Sequence, residues 1–375
     1  MKIAVNLLPF REKIAGAGKY AKKIVEYLAQ LDKINEYYLF ISEKGKINFD
    51  NLPKNFQFVL AGFNPENVFC RIFWEQFVFP YRLKKLMPDI VFTPSVAVPI
   101  FYKGNFFTTI HDLAYKFNEF KYSRTRRTYI KFITNLAVIK SKVIFTVSNF
   151  SKGQIEKEFN LENKKVIVTY NGVSEAFFYD VNRSIIDEFR KKYQLPEKFL
   201  LYVGAIEPGK NLSKLFRMLK NLQDRNNDLK TLVLTSGIGW DTNSLNELIV
   251  ELDLEKNIIK LPYLKEEEMP ILYKSASVLL YLSEYEGFGI PVLEAMAAGT
   301  PIVTSKSEAI LEFSKEAVYS VNPEDVNSIV KTLDLIQKDP EMKQCKIKKG
   351  KEIASNYSWL NSSKLIYEEF LKSYS

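Results

Sequence analysis

A chain of 375 residues is longer than one ordinary domain and suits two. Its 46% apolar and 26% charged residues, with Gly and Pro at 15 each, exclude a collagen-like, disulfide-rich or broadly disordered protein. The formal charge is +9 and uneven: residues 1–170 hold 27 Lys/Arg against 14 Asp/Glu, and the remainder 26 against 30.

Cys70 and Cys345 are the only cysteines and His111 the only histidine, which removes a disulfide framework, a cysteine-rich zinc site and every His-paired metal motif. A reducing compartment fits. No run of 18 apolar residues exists, and Lys2–Leu7 reads as a buried first strand rather than a leader, so the expectation is a cytoplasmic protein.

In chain order, apolar runs at Ile3–Leu7, Tyr37–Ser42, Phe56–Leu60, Ile90–Phe92, Phe107–Ile110, Val143–Val147 and Val166–Thr169 predict strands. Helical spacing falls between them at Lys19–Leu31, Val68–Leu86 and Tyr122–Ile139. The rhythm breaks from Asn171 to Lys198, around a charged helix at Ser184–Tyr193. It resumes with strands at Phe199–Val203, Thr231–Thr235, Ile258–Leu261, Val278–Leu282, Ile302–Thr304 and Val318–Val321. Helices are expected at Leu212–Gln223, Ser244–Leu252, Glu266–Lys274, Pro291–Ala298 and Pro323–Gln337. Continuous apolar strands alternating with helices mean parallel sheets covered on both faces, hence an α/β chain of two Rossmann-like domains. We place them at 1–175 and 176–357, with a last helix, 358–375, docking back on the first.

Ligands of such sheets bind beyond the carboxyl ends of the strands, and four strand exits carry unusual residues. Gly16-Ala17-Gly18 opens a helix, where glycines let a backbone approach a ligand; glycine also starts helices for steric reasons alone. His111-Asp112 follows an apolar strand and offers one imidazole for acid–base work, or a structural histidine. Gly204 to Asn211 sets Lys210 beside a helix start with Asn211 as N-cap, either a phosphate-binding ammonium or a solvated loop lysine. The sharpest is Glu286-Gly287-Phe288-Gly289-Ile290-Pro291-Val292-Leu293-Glu294. There two carboxylates bracket a tight Gly-Phe-Gly turn and a helix start with Pro in its first turn, and the amides of Gly287 to Val292 would receive a diphosphate. Glu294 complementing the helix dipole would explain one acid, not the rest.

The segment Lys116 to Lys131 is the densest basic cluster; Lys121, Arg124, Arg126 and Arg127 alternate with Phe117, Phe120, Tyr122, Tyr129 and Phe132. It suits a lipid headgroup layer, or a solvated helix face over core aromatics. No nucleic-acid-binding motif occurs.

The Glu286–Glu294 block resembles the signature of the family-4 retaining glycosyltransferases (glycosyl transferases group 1, GT-B fold). Val147–Ser151, Tyr170–Val173, Gly204–Asn211 and Ala298–Pro301 resemble other blocks of that family in the same order. Gly16–Tyr20, Trp74-Glu75-Gln76 and Thr109–Asp112 resemble its mannosyltransferase-like branch. The resemblance implies two Rossmann-like parallel-sheet domains facing across a cleft, an acceptor domain first and a nucleotide-sugar donor domain second. It implies that Lys210 binds the diphosphate, Glu294 the ribose, and Glu286 the transferring sugar as a catalytic residue. It further implies Gly287, Phe288, Gly289 and Ile290 at the sugar, Gly204 in the donor loop, and Tyr263 and Leu264 beside the base. His111 would act catalytically on the sugar, and Gly16 and Gly18 would border the phosphates. Gly209, Pro262 and Leu311 depart from the family's usual residues, which bears on the donor's identity.

With no Asp-x-Asp sequence, we expect no metal and no other cofactor. The expected activity is retaining transfer of a sugar, mannose from GDP-mannose before a UDP-sugar, to a glycan or lipid-linked acceptor in polysaccharide assembly. A glycoside phosphorylase or a non-catalytic nucleotide-sugar binder of the same fold are the alternatives. The basic first half suits peripheral contact with the inner face of the membrane.

Overall fold

A computed structural model describes residues 1–10, 16–49, 51–63, 67–117, 122–161, 165–207, 209–225, 227–235 and 242–374. The chain separates into two compact units, Met1–Asn171 with Ser358–Ser375, and Gly172–Tyr357.

Among the described residues the first unit holds seven strands: β1 (Lys2–Asn6), β2 (Glu36–Ser42), β3 (Phe56–Ala61), β4 (Ile90–Thr93), β5 (Phe106–Thr109), β6 (Ser141–Thr146) and β7 (Lys165–Val168). They pair in parallel in the order β3-β2-β1-β4-β5-β6-β7. In the second unit β8 (Leu200–Val203), β9 (Leu232–Thr235), β10 (Ile258–Leu261), β11 (Val278–Tyr281), β12 (Ile302–Ser305) and β13 (Tyr319–Val321) are ordered β10-β9-β8-β11-β12-β13, again parallel. Inner strands β4, β5, β11 and β12 are buried at every residue, while edge strands β7 and β10 keep exposed or half-buried ones. Helices on both faces leave an inner strand no wet side, which is why the runs read as continuously apolar.

The helix Trp359–Lys372 belongs to the first unit and covers its sheet. Phe370 meets Phe92 and Phe107 edge-on at 5.5 and 5.2 Å, and Lys165 pairs with Glu369 at 2.7 Å. Val68–Leu86, expected as one helix, is an α-helix (Val68–Phe73), a π turn (Trp74–Val78) and a second α-helix (Phe79–Leu86). The helix Pro340–Ala354 escaped the periodicity because it buries only Gly350 and Ala354 and so carries no apolar stripe. Its start was written locally all the same: Asp339 accepts the Met342 N–H at 2.9 Å, and Pro340 occupies the first turn. Among the described residues no helix is long and apolar enough to cross a membrane.

Candidate active site

In the second sheet the chain runs outward from β8 to β9 and β10, then returns to β11 on the other side of β8. The loops leaving β8 and β11 therefore diverge to opposite faces and open a crevice between them, the favoured ligand position in an open parallel sheet. Here the two exits are tied together. The Glu284 N–H donates to the Gly209 carbonyl at 2.9 Å, and Asn211 Nδ2 to the Leu282 carbonyl at 2.7 Å. Lys214 meets Glu284 at 3.6 Å, and Lys210 Nζ forms an ion pair and hydrogen bond with Glu286 Oε1.

Lys210 and Glu286 keep only 15% and 13% of their side-chain surface exposed. Burial, the largest single influence, would lower the ammonium, but the charge and hydrogen bond of Glu286, with smaller contributions from Tyr202 and Glu207, together hold Lys210 above its ordinary value. Burial would likewise raise the carboxyl, and Lys210 holds Glu286 below its ordinary range. The Lys210 ammonium also lies 5.5 Å from the centre of the Tyr281 ring. Tyr281 is pushed well above its ordinary value, first by burial and then by Glu286. Of the two readings of Lys210, the solvated loop lysine does not fit: the side chain is largely buried and paired with the first glutamate of the motif. The expectation for Asn211 is corrected. It stands at the N-cap position with φ 58°, but its side chain reaches across to Leu282 instead of capping.

The helix Ile290–Ala298 begins where the motif turns. Gly289 adopts φ 112°, and a Cβ there would lie 3.1 Å from Ile310 Cγ1, so both backbone and packing require glycine. The Val292 and Leu293 N–H groups both bond the Gly289 carbonyl, at 3.0 and 3.3 Å, and Pro291 has no N–H. The expected row of ligand-facing amides from 287 to 292 is therefore shorter at its far end. Phe288 turns inward, stacked on Phe313 at 4.6 Å. Glu294, one turn on, is buried and accepts a hydrogen bond from the Tyr273 hydroxyl at 2.8 Å. Burial, reinforced by Glu294, lifts that hydroxyl well above its ordinary value, so it remains a donor. Tyr273 was missed by sequence reasoning; it lies in the helix Met269–Ser275 with no motif around it.

Gly204 closes β8, its N–H on the Thr235 carbonyl at 3.2 Å. Tyr263 and Leu264 follow β10, two strands from β8; the Tyr263 ring is 52% exposed and Leu264 is buried. Pro208 lies outside the described residues.

The first unit reverses its strand order between β1 and β4. Gly16, at φ 45°, precedes the helix Ala17–Leu31, and Gly18 is buried in its first turn. Tyr20, one turn on, is fully buried; its hydroxyl meets Thr169 Oγ1 at 2.9 Å and Thr109 Oγ1 at 3.4 Å. Its ring stands edge-on to His111 at 5.0 Å. His111 follows β5, and its Nε2 lies 3.1 Å from the Pro94 carbonyl. A carbonyl only accepts, so Nε2 carries the proton and Nδ1 is the acceptor of the neutral ring. Burial depresses its pKa, against smaller opposing effects of Pro94 and Asp112. Asp112 itself caps the next turn, accepting the Ala114 N–H at 2.7 Å.

The segment after β4 is held by side chains that no spacing announced. Asn6 donates to the Ala97 carbonyl at 2.9 Å, and Gln76 donates to Val98 and accepts from the Ile100 N–H at 2.8 Å. Lys140 donates to the Ile100 and Tyr102 carbonyls at 2.6 and 2.9 Å. Of the basic cluster, residues 118–121 lie outside the described residues, and Lys116 is paired with Glu158. Among the described residues no group of three or more His, Cys, Asp or Glu is assembled to hold a metal.

Two families match in tandem: Glycosyltransferase Family 4 over residues 14–177 and Glycosyl transferases group 1 over residues 185–353. Together the two matches span most of the chain, the group 1 glycosyl transferases matching its second half alone. The chain is thus a glycosyltransferase, and its two parallel-sheet domains are those of the GT-B fold. O-antigen chain mannosyltransferase B of Escherichia coli is 27% identical over 96% of this chain and 97% of its own. O-antigen chain mannosyltransferase RfbU of Salmonella typhimurium is 31% identical over 62% of this chain and 61% of its own. Sucrose-phosphate synthase from Thermosynechococcus elongatus shares the fold with a TM-score of 0.82 at 17% identity, covering 100% of this chain and 99% of that one.

Proposed function

We propose that this glycosyltransferase moves mannose from GDP-mannose to a glycan or lipid-linked acceptor in polysaccharide assembly, with retention at the anomeric carbon and without a metal or other cofactor. The observation that carries the reading is the Lys210–Glu286 pair at the β8/β11 crevice, beside the start of the Ile290 helix. In glycosyl transfer the bond from the anomeric carbon to phosphate breaks, the diphosphate gains charge and the sugar becomes cationic. The arrangement offers one group for each: an ammonium and a helix N-terminus for the phosphate, a carboxylate for the sugar. Glu294, polarised by the Tyr273 donor, is assigned to the ribose hydroxyls, and Tyr263 and Leu264 to the base. Gly204, Gly287, Phe288 and Ile290 complete the proposed donor pocket. The first domain is assigned to the acceptor, with Gly16 and Gly18 in its first-helix loop. His111 takes part as a neutral imidazole with Nδ1 as acceptor. The mannosyltransferase names of the relatives favour mannose. A UDP-sugar is the second reading, favoured by a GT-B neighbour solved with UDP-glucose, Anabaena Alr3699/HepE, at a TM-score of 0.77 and 16% identity. Cytoplasmic location with peripheral contact at the inner membrane face follows from the acceptor class and the basic first domain.

A thermal-shift and hydrolysis screen of GDP- and UDP-sugars, with and without EDTA, tests it. GDP-mannose should raise the melting temperature and be consumed equally in EDTA, and proton NMR of the product should show the donor's anomeric configuration. Indifference to every nucleotide sugar, or activity abolished by EDTA, would overturn the corresponding part.

A further inference from the structure

On the first unit, Phe69, Phe73, Phe77 and Tyr81 follow one another every fourth residue and are 86%, 60%, 56% and 57% exposed. Such bulk outside a core is unusual when it forms one ridge. Four residues of an α-helix overshoot a turn by about 40°, so a four-residue stripe drifts around the helix. The π turn Trp74–Val78 has more residues per turn, takes back part of that drift and keeps the stripe on one side. Phe77 is 6.1 Å from Phe101, itself 64% exposed, which widens the ridge.

Among the described residues, the exposed charges on the neighbouring helix turns are positive. Arg82, Lys84 and Lys85 are exposed on the last turns of Phe79–Leu86, with the Lys85 ammonium 4.7 Å from the Tyr81 ring centre. The helix Arg124–Lys140 packs Tyr129 into the same core cluster as Trp74, carries no Asp or Glu, and exposes Arg124 and Lys131. The only acid of the ridge helices, Glu75, is buried.

We propose that this aromatic ridge is a membrane-docking surface whose partner is an anionic phospholipid bilayer, the rings entering the headgroup–acyl boundary and the flanking cations meeting lipid phosphates. The proposal rests on the peripheral-membrane part of the function above and names its place. Rings fit the boundary layer and cations its charge, each incomplete alone. A second copy of the chain fits worse, because a two-fold contact through the ridge would set these cations against one another.

The test is co-sedimentation of the full chain with phosphatidylglycerol/phosphatidylcholine vesicles and with phosphatidylcholine alone. Wild type should pellet with the anionic vesicles, less so in high salt, and Phe69→Ser/Phe73→Ser/Phe77→Ser should lower the partition at least tenfold. Its circular dichroism melt and nucleotide-sugar hydrolysis should stay unchanged, which separates loss of docking from failure of the catalytic reading. Independently, Phe69→Trp should add blue-shifted emission on anionic vesicles. Wild type staying in the supernatant, a triple variant pelleting fully, emission of Phe69→Trp unmoved by vesicles, or a wild-type dimer that the triple variant dissolves would each overturn the proposal.

Discussion

Lys210 and Glu286 stand 76 residues apart in the chain and form one largely buried ion pair, joining the exits of two adjacent parallel strands. An ammonium meant for a diphosphate thus already has a counter-ion, and an incoming donor must share or displace it. Such a pair holds the crevice in shape, since neither charge is left alone in a poorly hydrated place.

Lys210→Ala strands the Glu286 carboxylate and should cost about 3–5 kcal/mol of stability. Affinity for GDP or UDP should fall at least tenfold by calorimetry. Because Glu286 titrates below its ordinary 4.5 and Lys210 above its ordinary 10.5, the pair's contribution is complete between those ordinary values. It is lost as pH falls through the lowered carboxyl value or rises through the raised ammonium value. Urea midpoints of wild type should therefore be flat across neutral pH at this pair.

Glu286→Gln removes the competitor while keeping the shape. Nucleotide affinity should hold or tighten while turnover falls by two orders of magnitude or more. Unchanged turnover would remove Glu286 from its assigned role.

Tyr273→Phe deletes the hydroxyl that donates to Glu294 and should cost about 1–3 kcal/mol. With Glu294 on the ribose, GDP binding should weaken severalfold while inorganic pyrophosphate binding stays as in wild type. An equal loss for both ligands would contradict the ribose assignment.

Glu75 is buried with Arg71, at 3.7 Å, as counter-charge, and burial, opposed by that charge, raises its pKa to about 7. A carboxyl so raised contributes its full stability below the ordinary 4.5 and loses it as pH climbs through about 7. At pH 8 the loss should approach about 3 kcal/mol. Glu75→Gln should therefore melt higher than wild type at pH 8 and lose that advantage by about pH 4.5.

Gly289→Ala meets both a positive φ and Ile310, and should destabilise by about 1–3 kcal/mol while impairing nucleotide binding. Gly153, mid-helix with open space around its Cβ direction, is the contrasting control: Gly153→Ala should stabilise by about 1 kcal/mol.

All thirteen described strands lie within the apolar runs or within a residue or two of them, because an inner parallel strand is buried on both sides and its composition reveals it directly. Long helices with an apolar stripe were as legible. The helices Asn149–Phe159, Glu308–Ser314 and Pro340–Ala354, short or burying little, were not, nor was the π turn, since no local pattern separates π from α at Trp74–Val78. Sequence alone thus determined the two parallel sheets, the strand exits that carry chemistry and the residue types found there. Tertiary structure decided the partners. That β11 returns beside β8, bringing Glu286 onto Lys210, that Tyr273 donates to Glu294, and that Pro94 selects the His111 tautomer all depend on strand order and loop closure. Hydrogen bonds and ion pairs act over a few ångströms of space, whatever the distance along the chain, so only the fold could reveal them.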